Sequence, residues 1–91
     1  MVVVWNLNAK LELKRVYEYI LKDSWQNAIK VRQEIIDAVL SLPEHPDKHK
    51  INNDGTWRAF EIDRYRISYR VKKDQIRIIR LRHTSRSPLP Y

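Results

Sequence analysis

Eight arginines fall between residues 57 and 91, and with two lysines they meet only three acids there, Glu61, Asp63 and Asp74. The first 56 residues balance eight Lys/Arg against eight Asp/Glu, so the whole formal excess of +7 lies in the last third of the chain. Planar guanidinium forks match phosphate oxygens two at a time and stay charged at cellular pH. A surface charged only for solubility mixes both signs and spreads them. The segregation therefore points to an anionic partner, a nucleic acid or an acidic protein. His83 stands among these cations at the end of an apolar run. An imidazole titrates near neutrality and can move protons in either direction. Phosphate-binding forks beside a proton carrier are the parts that phosphodiester chemistry needs.

Those side chains must be held by strands. Residues 65–71 alternate strictly, with Tyr65, Ile67, Tyr69 and Val71 on one face and Arg66, Ser68 and Arg70 on the other. If helices cover the apolar face, Arg66 and Arg70 point to an open one. A strand over residues 57–63 precedes this segment, with Arg64 in a tight turn, and Lys73-Asp74 turns the chain into a strand over residues 76–81. That last strand carries Ile76 and Ile78 against Ile79 and Leu81, apolar on both faces, which predicts a position away from the sheet edge.

The helices come earlier. The β-branched run Val2-Val3-Val4-Trp5 reads as a strand, and Asn8 offers an N-cap to a helix over residues 9–22 built on Leu13, Val16, Tyr17 and Ile20. Ser24 caps a longer helix on Trp25, Ala28, Ile29, Ile35, Ile36, Val39 and Leu42, ended by Pro43 at about residue 42. The short link between them predicts an antiparallel helical hairpin, with Trp5, Trp25 and the helical stripes in the core. Residues 43–56 form a polar connection with a turn at Asp54-Gly55. The expected fold is α+β, βααβββ, a helical hairpin packed on one face of an antiparallel sheet, as a single domain over residues 1–91.

Several function classes drop out. The chain has no cysteine, and His45, His49 and His83 are scattered, so neither a metal site nor a cofactor is expected. No apolar run is long enough to span a membrane and no signal sequence is visible, which makes a cytoplasmic protein the expectation. The second helix mixes Glu34 and Asp37 with Lys30 and Arg32, unlike a DNA-reading helix. Trp57 and Tyr65 read as packing residues rather than base platforms.

Tyr65-Arg66-Ile67-Ser68-Tyr69, the apolar strand 76–81, and the tail from Arg82-His83 through Arg86 to Tyr91 together resemble the RelE/ParE toxin superfamily of type II toxin–antitoxin systems. The resemblance covers nearly the whole chain. Val16 to Ile20, Ala28 and a long second helix ending at Leu42-Pro43 look like the ParE branch, which poisons DNA gyrase. Lys50 to Tyr69, with Asn52, Gly55, Trp57, Arg58 and Arg66, and the terminal tyrosine look like the YoeB and RelE branch, which acts on messenger RNA in the ribosome.

The resemblance implies a growth-inhibiting toxin, with the reading leaning to a metal-independent, ribosome-dependent endoribonuclease. The alternative is a gyrase inhibitor with no chemistry of its own. In the nuclease reading His83 is the general acid or base, Arg66 and Arg86 surround the phosphate, and Tyr91 stacks on a base or bonds the phosphate. Lys48, Lys50, Arg58, Arg70 and Arg82 line the nucleic acid, and Asp47 falls near the family's acidic base. Each has a plainer reading beside it. His83 is also a hydrogen-bonded structural histidine, Arg66 a salt-bridge partner of Glu61 or Asp63, residues 48–50 a solvated loop, and Tyr91 a chain end without a fixed role. The implied partners are a cognate, acidic antitoxin on the apolar surface of the hairpin, and either ribosome-bound messenger RNA or gyrase.

Overall fold

The β-branched run at the start forms strand β1 (Val2–Trp5), followed by helices α1 (Leu7–Leu21) and α2 (Trp25–Leu40). The computed structural model, which describes residues 1–85, continues through a 3-10 turn at Leu42–Glu44 and a polar connection. Three strands complete it, β2 (Arg58–Ile62), β3 (Tyr65–Lys72) and β4 (Gln75–His83). Ser24 caps α2 as its type predicts, accepting the Asn27 N–H at 3.1 Å. The start of α1 differs from expectation. Asn6, not Asn8, occupies the cap position, and its side chain accepts from Arg77 at 2.8 Å instead of from the helix.

The sheet order is β1-β4-β3-β2. The last three strands form the expected antiparallel meander, whereas β1 lies parallel to β4, with Val2 opposite Gln75 and Trp5 opposite Ile78. A helical crossover is what allows two strands to run in the same direction side by side. β4 occupies an inner position, as its apolar content predicts. The link between β2 and β3 is a tight hairpin with Asp63 (φ 52°) and Arg64 (φ 69°) both left-handed, the conformation that matches strand twist.

One irregularity decides the rest. Ser68 lies opposite Arg80 but Tyr69 opposite Ile78, so Ile79 is an extra residue in β4, a β-bulge. Ile76, Ile78 and Leu81 therefore all reach the core, and the expectation that Leu81 shares the far face with Ile79 is corrected. These three pack with Tyr65, Ile67 and Tyr69 of β3 against Ala9 and Val16 of α1 and Val31, Ile35 and Val39 of α2. Trp5 packs partly buried against this cluster. Trp25 does not join it: it is 59% exposed, and Ile29 is 49% exposed, so the apolar face of α2 is wider than the core requires. Among the described residues no helix is long and apolar enough to cross a membrane.

Candidate functional site

With the helices on the Tyr65/Ile67/Tyr69 side, the alternation of β3 sends Arg66, Ser68 and Arg70 to the opposite face. Register supplies their neighbours. Arg66 lies between Glu61 of β2 and Arg82 of β4, Ser68 between Ala59 and Arg80, and Arg70 opposite Arg77. Arginine thus stands directly across from arginine twice, at 66/82 and 70/77. Like charges opposite one another destabilise a sheet, so the chain tolerates a cost that a bound polyanion would reverse.

Three of these guanidiniums are steered by neighbours. Arg66 meets Glu61 at 2.9 Å, Arg70 Nε donates to the Thr56 carbonyl at 3.2 Å, and Arg77 donates to Asn6 Oδ1 at 2.8 Å. The Arg66–Glu61 pair is the plainer reading of Arg66 made real. Both side chains are more than half exposed, so the pair adds at most about 1 kcal/mol. It also engages only part of a five-donor fork. Lys50 extends the positive surface at its β2 end. There Lys50, Asn52, Trp57, Glu61 and Arg66 line a groove of about 600 Å³.

His83 is not on this face. It pairs with Tyr65 in the register, on the core-side parity of Ile67 and Leu81, and its ring meets the Tyr65 ring edge-on at 5.2 Å. Its Nδ1 accepts the Ser85 N–H at 3.2 Å, with Ser85 Oγ at 3.1 Å. Unbroken alternation from Ile79 would have put His83 beside the arginines; the bulge reverses the parity, bringing Arg82 out and His83 in. Arg66, Arg70 and Arg82 are together, and His83 is apart from them. Arg86 and Tyr91 lie outside the described residues.

Arg58 is also elsewhere. It sits opposite buried Tyr69, donates to the carbonyls of His49 (2.8 Å) and Asp47 (3.2 Å), and stands 3.9 Å from the Asp47 carboxylate. Its guanidinium clamps the 47–49 loop to the sheet instead of facing the arginine surface. Tyr69 adds a second tie, donating its hydroxyl to the Pro46 carbonyl at 2.9 Å, and burial pushes that phenol's pKa up. His49 stacks on Phe60 with ring centroids 4.6 Å apart, and burial, reinforced by Lys48, lowers its pKa. Lys48 itself is exposed beside the hollow of residues 44–48. Sequence reading gave Arg77 and Arg80 no role and named Glu61 only as a salt-bridge partner of Arg66. The signal was the apolar spacing 76, 78, 81, two then three, which marks a bulge with arginines between the core residues.

Comparison with known proteins agrees with this geometry. A search of curated sequences finds no match. Solved structures that resemble the chain in fold include the following two. A protein of the chromosomal ParDE toxin–antitoxin system from P. aeruginosa superposes with a TM-score of 0.79 at 21% identity, covering 93% of this chain and 97% of that one. A YoeB/ParE toxin from Agrobacterium tumefaciens superposes with a TM-score of 0.64 at 18% identity, covering 91% and 98%. The family model for the ParE toxin of type II toxin–antitoxin systems matches residues 3–88, from the first strand through the tail. Since that match runs over almost all of the sequence, the chain belongs to the ParE toxin family of type II toxin–antitoxin systems.

Proposed function

We propose that this toxin arrests growth by binding rather than cutting, as an inhibitor of DNA gyrase that engages the gyrase–DNA complex through the face of Arg66, Arg70, Arg77 and Arg82. The observation that carries this reading is that the alternation of β4 turns His83 to the side of the sheet opposite those arginines. Metal-independent RNA cleavage needs a base for the 2′-hydroxyl and an acid for the departing 5′-oxygen, both within hydrogen-bond reach of one phosphate. Among the described residues the face offers one carboxylate, Glu61, already engaged with Arg66. Among the described residues this arginine-rich surface has no acid–base couple flanking it. The match to the ParE model points in the same direction.

A cognate antitoxin belongs to this proposal. Leu7 and Leu11 of α1 and Trp25, Ile29 and Leu40 of α2 are exposed apolar side chains on the hairpin, which supports docking of a partner segment there. Excess acidic residues in that segment would answer the +7 charge of the toxin.

The nuclease reading keeps one specific observation in its favour. Glu61, Arg66, Lys50 and Trp57 share a groove of about 600 Å³, where a carboxylate base would stand among cations beside an aromatic surface. Pulse labelling after induction separates the two. The gyrase reading expects DNA synthesis to fall first while protein synthesis continues; early loss of protein synthesis with cut messenger RNA would replace it with the nuclease reading.

A further inference from the structure

Glu12 is a glutamate where a helix core position calls for an apolar residue. It lies on α1, its side chain is 2% exposed, and it is the one polar residue among the buried side chains described. Burying a carboxylate is costly unless hydrogen bonds and a counter-charge answer it. Both answers come from the bulged stretch of β4. Glu12 Oε1 accepts the Leu81 N–H at 2.8 Å, and Oε2 stands 3.9 Å from Arg80 Nε.

The location of that N–H explains the arrangement. β1 ends at Trp5, opposite Ile78, and the Asn6 N–H bonds the Ile78 carbonyl, so β4 has no strand neighbour on that side beyond residue 78. The Leu81 N–H points to this uncovered edge, under α1, where water cannot replace a strand partner. The bulge at Ile79 turns Leu81 inward, and Glu12 supplies the acceptor that the missing strand would have given.

The consequence reaches the arginine face. With the bulge, Ile76, Ile78 and Leu81 are buried and Arg77 and Arg82 are exposed. A β4 without it would carry Arg80 and Arg82 on the parity of Ile78, towards the core, and Leu81 and His83 towards solvent. We infer that Glu12 is a positioning residue: from α1 it locks the bulged register of β4, and that register presents Arg82 beside Arg66 on the binding face. This rests on the proposal that the arginine face carries toxicity.

The test compares Glu12→Gln, which keeps an oxygen acceptor, with Glu12→Leu, which fills the space but offers none. Val16→Ala, a core change on the same helix, serves as a control whose melting temperature is matched by choice of assay temperature. Glu12→Leu should need about tenfold more inducer to stop growth than the control, the effect of orphaning a buried donor, with Glu12→Gln within about twofold of the unaltered toxin. Cross-strand backbone NOEs should connect Arg66 with Arg82 in the unaltered chain and in Glu12→Gln, and should weaken or shift register in Glu12→Leu.

Toxicity of Glu12→Leu equal to the matched control, loss of toxicity with the Arg66–Arg82 contact intact, or equal loss in Glu12→Gln would each overturn the inference. If Glu12→Leu does not fold, hydrogen exchange in the unaltered chain decides. Leu81 should be protected like the inner amides of β3, and rapid exchange there overturns the proposal. Should Arg82→Ala remain fully toxic, the arginine-face reading fails instead, and the NOEs still report whether Glu12 fixes the bulge.

Discussion

At the scale of single residues, much of the site is a matter of parity and of what loops do with arginine. Arg66 and Arg70 were legible because Tyr65, Ile67, Tyr69 and Val71 alternate with them without interruption. Arg58 was not, since nothing in its neighbourhood announces that the carbonyls of Asp47 and His49 will fold back onto its guanidinium. His49 yields a residue-scale prediction. Its imidazole is held below the ordinary 6.5 by burial and by Lys48, with Arg58 also bonded to its carbonyl and Asp47 the nearby acid. The unfolded chain therefore takes up the proton more readily than the folded one, and stability is complete above 6.5 and falls as pH drops from there towards the lower folded value. Glu12 acts with the opposite sign. Burial holds its carboxyl above 4.5, so protonating it on acidification relieves the fold. The His49 contribution is thus read by difference: the fall in melting temperature between pH 7 and pH 5 should be smaller in His49→Gln than in the unaltered protein. An identical fall in both would remove His49 from the explanation.

At the scale of elements, the strands and helices followed from periodicity, and the departures have local causes. Pro43 ends α2 a little early, with Ser41 Oγ donating to the Ala38 carbonyl as the helix closes. The bulge escaped the alternation rule because an extra residue leaves the apolar content of β4 unchanged and alters only which side each residue takes. That slip changed the side taken by Arg80, Leu81, Arg82 and His83, while Arg77 ahead of it kept its own, so strict alternation misplaced the end of the strand as a group. The β2–β3 hairpin provides the element-scale prediction. Arg64 holds φ 69°, and its carbonyl accepts the Thr84 N–H at 2.8 Å. Replacing Asp63-Arg64 by Asn-Gly keeps that carbonyl and relieves a left-handed non-glycine residue, worth about 1 kcal/mol. Thermal unfolding should show a rise of about 4 °C or more for a domain of this size. A fall would mean that the Arg64 side chain contributes something the backbone geometry does not reveal.

At the scale of the whole molecule, charge and packing make the two sides of the sheet unlike. One side carries the helical hairpin and a surplus of exposed apolar residues; the other carries arginines with almost no acids among them. The charge excess is legible in its uneven placement along the chain, whereas its gathering on one face depends on strand order and the bulge. A polyanion bound there should release counterions, so binding to duplex DNA should weaken linearly with log salt concentration, and Arg82→Ala should reduce the slope by about one. A slope unchanged by Arg82→Ala would place the contact elsewhere. The most direct measurement is supercoiling by purified gyrase titrated with the toxin, with Arg82→Glu and with His83→Gln. Inhibition is expected from the unaltered toxin and from His83→Gln at the same concentration, with about tenfold or more required for Arg82→Glu, since reversing one charge in a close array costs over about 1 kcal/mol. Supercoiling untouched by the toxin, or inhibition lost with His83→Gln and kept with Arg82→Glu, would contradict this expectation.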